Sequence, residues 1–125
     1  MTFLLNLIPA AVLYGTPLLY GTSGEILTEK SGNLNLGVEG MMFMGGALGL
    51  GAAVSAPLAV VIAIAASFLA GALAALLFSF LTITLRANQN VTGLALTIFG
   101  TGVGQYIGEF MRVREGTYVA VSNTL

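Results

Sequence analysis

Six side chains in two short clusters carry most of the chemistry available to this sequence: Asn33, Asn35 and Glu39 in the first, and Asn88, Gln89 and Asn90 in the second. Primary amides both donate and accept hydrogen bonds, so a group of them suits an uncharged polar solute better than an ion. Each cluster is marked by glycine, at Gly32, Gly37 and Gly40 in one and Gly93 in the other, and each stands directly before an apolar stretch. Asn35 can cap the helix that follows, and Glu39 in its first turn would feel the positive end of the helix dipole. Other chemistry is missing. With no His and no Cys, the chain has no imidazole base, no thiol nucleophile and none of the usual zinc ligands. Neither a Ser-Lys pair nor a carboxylate pair falls within an apolar segment, so the expectation is no enzyme, no metal and no cofactor.

The segments that must position these residues are those of a membrane protein. From Gly40 to Leu85 there is no Asp, Glu, Lys or Arg. About 20 apolar residues make one helical crossing of a hydrocarbon core roughly 30 Å thick, and this tract is long enough for two. At 57% hydrophobic, 7% charged and a mean hydropathy of +0.97, a 125-residue chain has more apolar surface than a soluble core of that size could bury. The stretch from Met1 to Gly24 is also uncharged. It lacks the basic start of a secretory signal and stays apolar through Tyr20, so it reads as a retained first span, kinked where Pro9 and Pro17 remove backbone donors.

The expected fold is therefore all-α, a polytopic transmembrane helix bundle of about four spans in a single region, 1–125, with polar breaks near 30–37 and 86–92. The second span runs from Gly37 to Ala53, the third from Pro57 to about Leu85, and the fourth from Val91 to about Met111. Ser55-Ala56-Pro57 marks the turn between the second and third, and Pro57 suits the first turn of a helix. The polar segment Thr22 to Lys30 is expected at an interface, with Ser23 able to cap a helical turn, and the tail from Arg112 to Leu125 is too short and too polar to cross. Lys30 and Arg86 fall on one side of such a bundle and Arg112 and Arg114 on the other, a tie that gives no orientation. A net charge of −1 offers no field for nucleic acid.

Small residues recur at helical spacing. Gly45, Gly49 and Ala53, then Ser67, Gly71 and Ala75, then Gly100, Gly104 and Gly108 are expected to be helix-packing faces, because small side chains let helix backbones approach closely in lipid. Polar, glycine-marked breaks directly before apolar helices are also what transporters use to bring backbone and side-chain polar groups to a solute at membrane depth. Ordinary interfacial loops with helix caps would give the same pattern, and both readings stand at this point.

The run from Glu29 to Met42, Glu-Lys-Ser-Gly-Asn-Leu-Asn-Leu-Gly-Val-Glu-Gly-Met-Met, resembles a signature of permease subunits of bacterial nucleoside-type ABC importers. Leu81 to Thr97, with Arg86-Ala87-Asn88-Gln89-Asn90 at its centre, is similar to a second segment of the same family at a similar distance. The resemblance extends from about Leu18 to Ile107 and reaches the wider group of ribose and branched-chain amino acid permeases. It implies a multi-pass protein of the bacterial plasma (inner) membrane, working with a second permease subunit, cytoplasmic ATPase subunits that use the ATP, and an extracytoplasmic solute-binding protein. It further implies that Asn33, Asn35, Glu39, Asn88, Gln89 and Asn90 line a path for nucleosides or a related neutral solute. Permeases of this type are longer, and nothing in Arg112 to Leu125 resembles the segment that docks on the ATPase. The chain is thus expected to be the N-terminal part of a longer permease and not to transport alone. The alternative expectation is a small membrane-embedded accessory protein that associates with itself through Gly-x-x-x-Gly faces and carries no solute.

Overall fold

The computed structural model describes residues 2–53 and 58–115. The expected turn at Ser55-Ala56-Pro57, the role of Pro57 in a first turn, and the tail beyond Glu115 lie outside the described residues. Among the described residues the fold is all-α: α1 is Thr2–Lys30, α2 is Val38–Ala53, α3 is Ala59–Ser79 and α4 is Gln89–Glu115. A π-helical turn, Phe80–Thr84, extends α3. The chain forms two compact units that divide after Asn35.

The first unit is α1 and the turn that ends it. Pro9 and Pro17 both lie inside the helix. The helix also continues through the polar segment, and Ser23 is internal to it, which corrects the reading of Ser23 as a cap. Its hydroxyl donates to the Leu19 carbonyl at 2.7 Å, as those of Thr16 and Thr22 donate to Val12 and Leu18 at 2.6 and 2.8 Å. Such bonds satisfy hydroxyls within the helix itself, so they can be carried into lipid without an outside partner. Large apolar side chains are exposed from Phe3 to Leu27. Acyl chains, unlike water, accept that surface.

α1 ends in a Schellman motif. The Asn33 N–H donates to the Thr28 carbonyl at 3.1 Å and the Gly32 N–H to the Glu29 carbonyl at 2.9 Å. Gly32 takes the left-handed conformation this needs, φ 87°, where a side chain would be strained.

In the second unit α2 packs against both α3 and α4, which barely touch one another. Directions follow from close approaches between helices. A Cβ built on Gly49 would lie 2.8 Å from the Ala63 carbonyl oxygen, and one on Gly45 3.2 Å from that of Ser67, so α2 and α3 run antiparallel. Leu36 and Gly37 lie against Gly93, Gly40 against Leu96, Thr97 and Gly100, Phe43 against Gly104, and Gly51 near Ile107 and Met111, so α2 and α4 run parallel. Met41, Ala74, Phe78 and Leu96 make the small core where the helices meet, with Met44 packed against it.

Among the described residues two stretches are long and apolar enough to cross a membrane, Phe3–Lys30 and Ala59–Thr84, of 28 and 26 residues. α2 has 16 residues, a reach of about 24 Å at the α-helical rise, against roughly 30 Å of hydrocarbon. α4 is longer, at 27 residues, but more polar. As described, the helices differ in length and polarity.

Candidate functional site: two polar helix breaks

The two breaks are built alike. α1 ends on left-handed Gly32 and α2 begins at Val38; the π turn ends near left-handed Arg86, φ 52°, and α4 begins at Gln89. In the π turn the Leu85 N–H reaches the Phe80 carbonyl at 3.1 Å and the Ala87 N–H reaches Leu81 at 3.0 Å, a wider version of the closing pattern of α1. The buried Thr82 hydroxyl donates to the Phe78 carbonyl at 2.8 Å, so the widened turn leaves that group satisfied. A left-handed arginine costs about 1–2 kcal/mol that a glycine would not, so the second break holds its shape against strain that the first avoids.

Asn88 is the N-cap of α4. Its Oδ1 accepts the N–H groups of Asn90 at 3.0 Å and Val91 at 3.2 Å, while its backbone carbonyl accepts that of Thr92 at 2.9 Å. Asn88 and Asn90 are exposed and Gln89 is half-buried. In the first break Asn35 is buried at 6% exposure, Asn33 is half-buried, and Glu39 is exposed in the first turn of α2. Gly37 holds the N-cap position of α2, its carbonyl accepting the Met41 N–H at 3.0 Å, with Asn35 two residues upstream.

Within the second unit the chain that directly follows Asn35 meets the start of α4. A Cβ on Gly93 would lie 2.8 Å from the Leu36 nitrogen and 3.0 Å from that of Gly37, and the Thr97 hydroxyl donates to the Leu36 carbonyl at 2.8 Å. Beside this junction, an open groove of about 350 Å³ is lined by Leu77, Leu81, Val91, Ala95 and Phe99 with the hydroxyl-bearing Thr92. Its apolar walls suit a hydrocarbon chain or an apolar helix face and offer little to a polar solute.

Asn88→Ala is expected to cost about 1 kcal/mol, the usual worth of an N-cap. Asn88→Asp keeps the accepting oxygen and should retain stability, so a loss of solute handling shared by both variants would report the amide donors, and a loss in the aspartate variant alone would report its charge. Thermal denaturation of the purified permease separates the two.

Sequence reasoning missed Glu25. Its Oε1 accepts the Asn35 N–H at 2.8 Å and its Oε2 accepts the Thr28 hydroxyl at 3.1 Å, so one carboxylate spans the last turns of α1 and the end of the loop. Ten residues separate Glu25 from Asn35, and only the reversal at Gly32 brings them together. An acid in the penultimate turn of an apolar helix was the available signal.

Among the small residues singled out, Gly45, Gly49, Gly100 and Gly104 lie at close approaches, whereas a Cβ on Gly71 or Gly108 would meet nothing within 4 Å. On α3 the buried line is Ala70, Ala74 and Phe78, with Ser67 against Gly49, and Ala75 is exposed. Steps of four residues drift off a helix face: at about 100° per residue, two such steps end about 80° away. Gly108 and Ala75 stand at that end.

Long apolar helices, interrupted where amide-rich segments meet helix starts, fit an integral membrane protein. The model of the family described as "Branched-chain amino acid transport system / permease component" matches residues 7–120, and the chain belongs to that family. Among curated relatives, TsgC13 of Haloferax volcanii, a permease protein provisionally named for a glucose ABC transporter, is 38% identical over 117 residues, 86% of this chain and 32% of that protein. The guanosine ABC transporter permease protein NupQ of Bacillus subtilis is 32% identical over 111 residues, covering 81% and 33%. The nucleoside ABC transporter permease protein NupC of Lactococcus lactis is 28% identical over 101 residues, covering 77% and 32%. The chain spans about a third of the length of these relatives. No solved structure matches it. It is thus part of an integral plasma-membrane permease, a component that is not an enzyme and carries no cofactor of its own.

Proposed function

We propose that the chain is part of a permease subunit that moves a neutral, hydroxyl-rich solute, a nucleoside or a sugar, across the membrane by alternating access. The observation that carries this reading lies within the second unit, where Leu36 and Gly37, at the start of α2, lie against Gly93 near the start of α4 and the Leu36 carbonyl accepts the Thr97 hydroxyl. The glucose, guanosine and nucleoside named for the relatives share a polyhydroxylated ring, which amides can match with donors and acceptors together. On this reading Asn33, Asn35, Glu39, Gln89 and Asn90 contribute to the path, and Asn88 shapes it as a cap. A second permease subunit completes the path, cytoplasmic ATPase subunits use ATP to bias the two states, and a solute-binding protein delivers the cargo.

The scaffold alternative is less well supported. Gly100 and Gly104, the faces it would use for self-association, already lie against Gly40 and Phe43 of the same chain.

The test is uptake by the full-length permease with its partner subunits. Asn35→Ala and Glu39→Ala are each expected to raise the guanosine or glucose concentration for half-maximal uptake roughly tenfold, the equivalent of about 1.4 kcal/mol and within the range for one hydrogen bond left unmade. Unchanged uptake of every nucleoside and sugar tested, at normal membrane levels, would remove these residues from the path.

A further inference from the structure

We infer that Glu25 is the positioning residue for the amides of the first break, acting as a neutral-tolerant hydrogen-bond latch. The inference rests on the proposed role of Asn33 and Asn35 and adds a residue outside both polar clusters. Three features on one short stretch of chain support it. Gly32 reverses the chain, with the Asn33 and Gly32 N–H groups closing on the Thr28 and Glu29 carbonyls. Those bonds reach as far as Asn33. Two residues later, the Asn35 N–H is held by Glu25 Oε1 at 2.8 Å, and the other carboxylate oxygen lies 3.1 Å from the Thr28 hydroxyl, whose single proton it shares with the Glu25 carbonyl at 2.8 Å. The carboxylate is thus oriented by its own helix and joins that helix to the backbone of Asn35, which is buried.

A second argument comes from burial within the protein. A buried backbone N–H outside a helix needs a hydrogen-bond partner, and the Asn35 N–H has one in this side chain. The geometry asks for an acceptor at Oε1 and a group at Oε2 that can pair with a hydroxyl; a glutamine meets both, donating its amide N–H to the Thr28 oxygen. Charge is therefore not the operative property.

The experiment compares Glu25→Ala and Glu25→Gln in the full-length permease with its partners, reading amide hydrogen exchange at residues 32–36 in nanodiscs and uptake of guanosine and glucose. Exchange at Asn35 should quicken at least tenfold in Glu25→Ala and stay within threefold of the parent in Glu25→Gln. Half-maximal uptake should shift about tenfold and less than threefold in the same order, with the maximal rate per inserted permease retained. Unaltered exchange in Glu25→Ala overturns the latch. Faster exchange with unaltered uptake also overturns the positioning role. In that event Asn35→Ala separates the causes: reduced uptake in that variant spares the path reading, and normal uptake removes it as well.

Discussion

Gly100→Ala should part α2 from α4 and cost on the order of 3 kcal/mol, the upper part of the range for overpacking a close seam. A methyl at Gly100 would collide with the Gly40 carbonyl oxygen and would stand 2.7 and 2.9 Å from the Gly40 carbonyl carbon and Cα. The reciprocal methyl on Gly40 would stand 2.5 Å from Thr97 Cα and 2.7 Å from the Leu96 oxygen. Backbone faces backbone on both sides, so no side-chain rotation can relieve the overlap and the two helices must separate along the seam. Against this, alanine gains about 1 kcal/mol over glycine in helix propensity, too little to offset the clash. The same gain predicts the opposite sign elsewhere on α4: Gly102→Ala and Gly108→Ala, with nothing within 4 Å of either new methyl, should leave stability unchanged or raise it by up to about 1 kcal/mol. Thermal unfolding of the three variants in one detergent reads the difference. Equal effects at Gly100 and Gly108 would mean that the α2–α4 seam is not as close as described.

The contrast between those glycines marks how much of the fold was legible in the sequence. The breaks at 30–37 and 86–92 were readable because glycine and amides interrupt uncharged apolar runs, and that pattern is local. The absence of charge between Gly40 and Leu85 was enough for lipid as the solvent. Four successive crossings already make the second and fourth spans parallel, but the direct packing of α2 on α4 was not readable. Gly40 and Gly93 make two of its closest approaches, yet neither has a glycine or alanine four residues away, so spacing alone passed over them. Spacing also extended the seams too far, to Ala75 and Gly108, because four-residue steps overshoot the 3.6-residue turn. Glu25 was hidden for a different reason: its partner is a backbone N–H beyond a chain reversal, and a backbone donor leaves no mark on residue types. The π turn, too, has no compositional signature in Phe80-Leu81-Thr82-Ile83-Thr84; the buried Thr82 hydroxyl makes sense only once the widened turn is known.

Gly93→Ala is the substitution expected to couple stability most directly to transport. Its methyl would lie 2.8 Å from the Leu36 nitrogen, 2.9 Å from Leu36 Cβ and 3.0 Å from the Gly37 nitrogen, so it presses on the N-cap of α2 and on the residue that follows Asn35. Leu36 is exposed and its side chain can yield, but the two backbone nitrogens cannot move without displacing the start of α2. A cost of about 2–3 kcal/mol follows from overpacking that cannot be relieved by rotamers. Thr97→Val acts on the same junction without adding bulk. It removes the hydroxyl donated to the Leu36 carbonyl at 2.8 Å and should cost about 1 kcal/mol, while Thr97→Ser keeps the donor and should cost less. If the junction of the two breaks shapes the solute path, Gly93→Ala and Thr97→Val should both weaken uptake in the complete importer, in that order, and Thr97→Ser should restore most of it. The double variant decides whether they act on one element: residues sharing the Leu36 backbone should show a combined loss that departs from the sum of the two by at least about 0.5 kcal/mol. Strict additivity, or uptake that follows protein level alone, would separate the packing of α2 on α4 from the handling of solute.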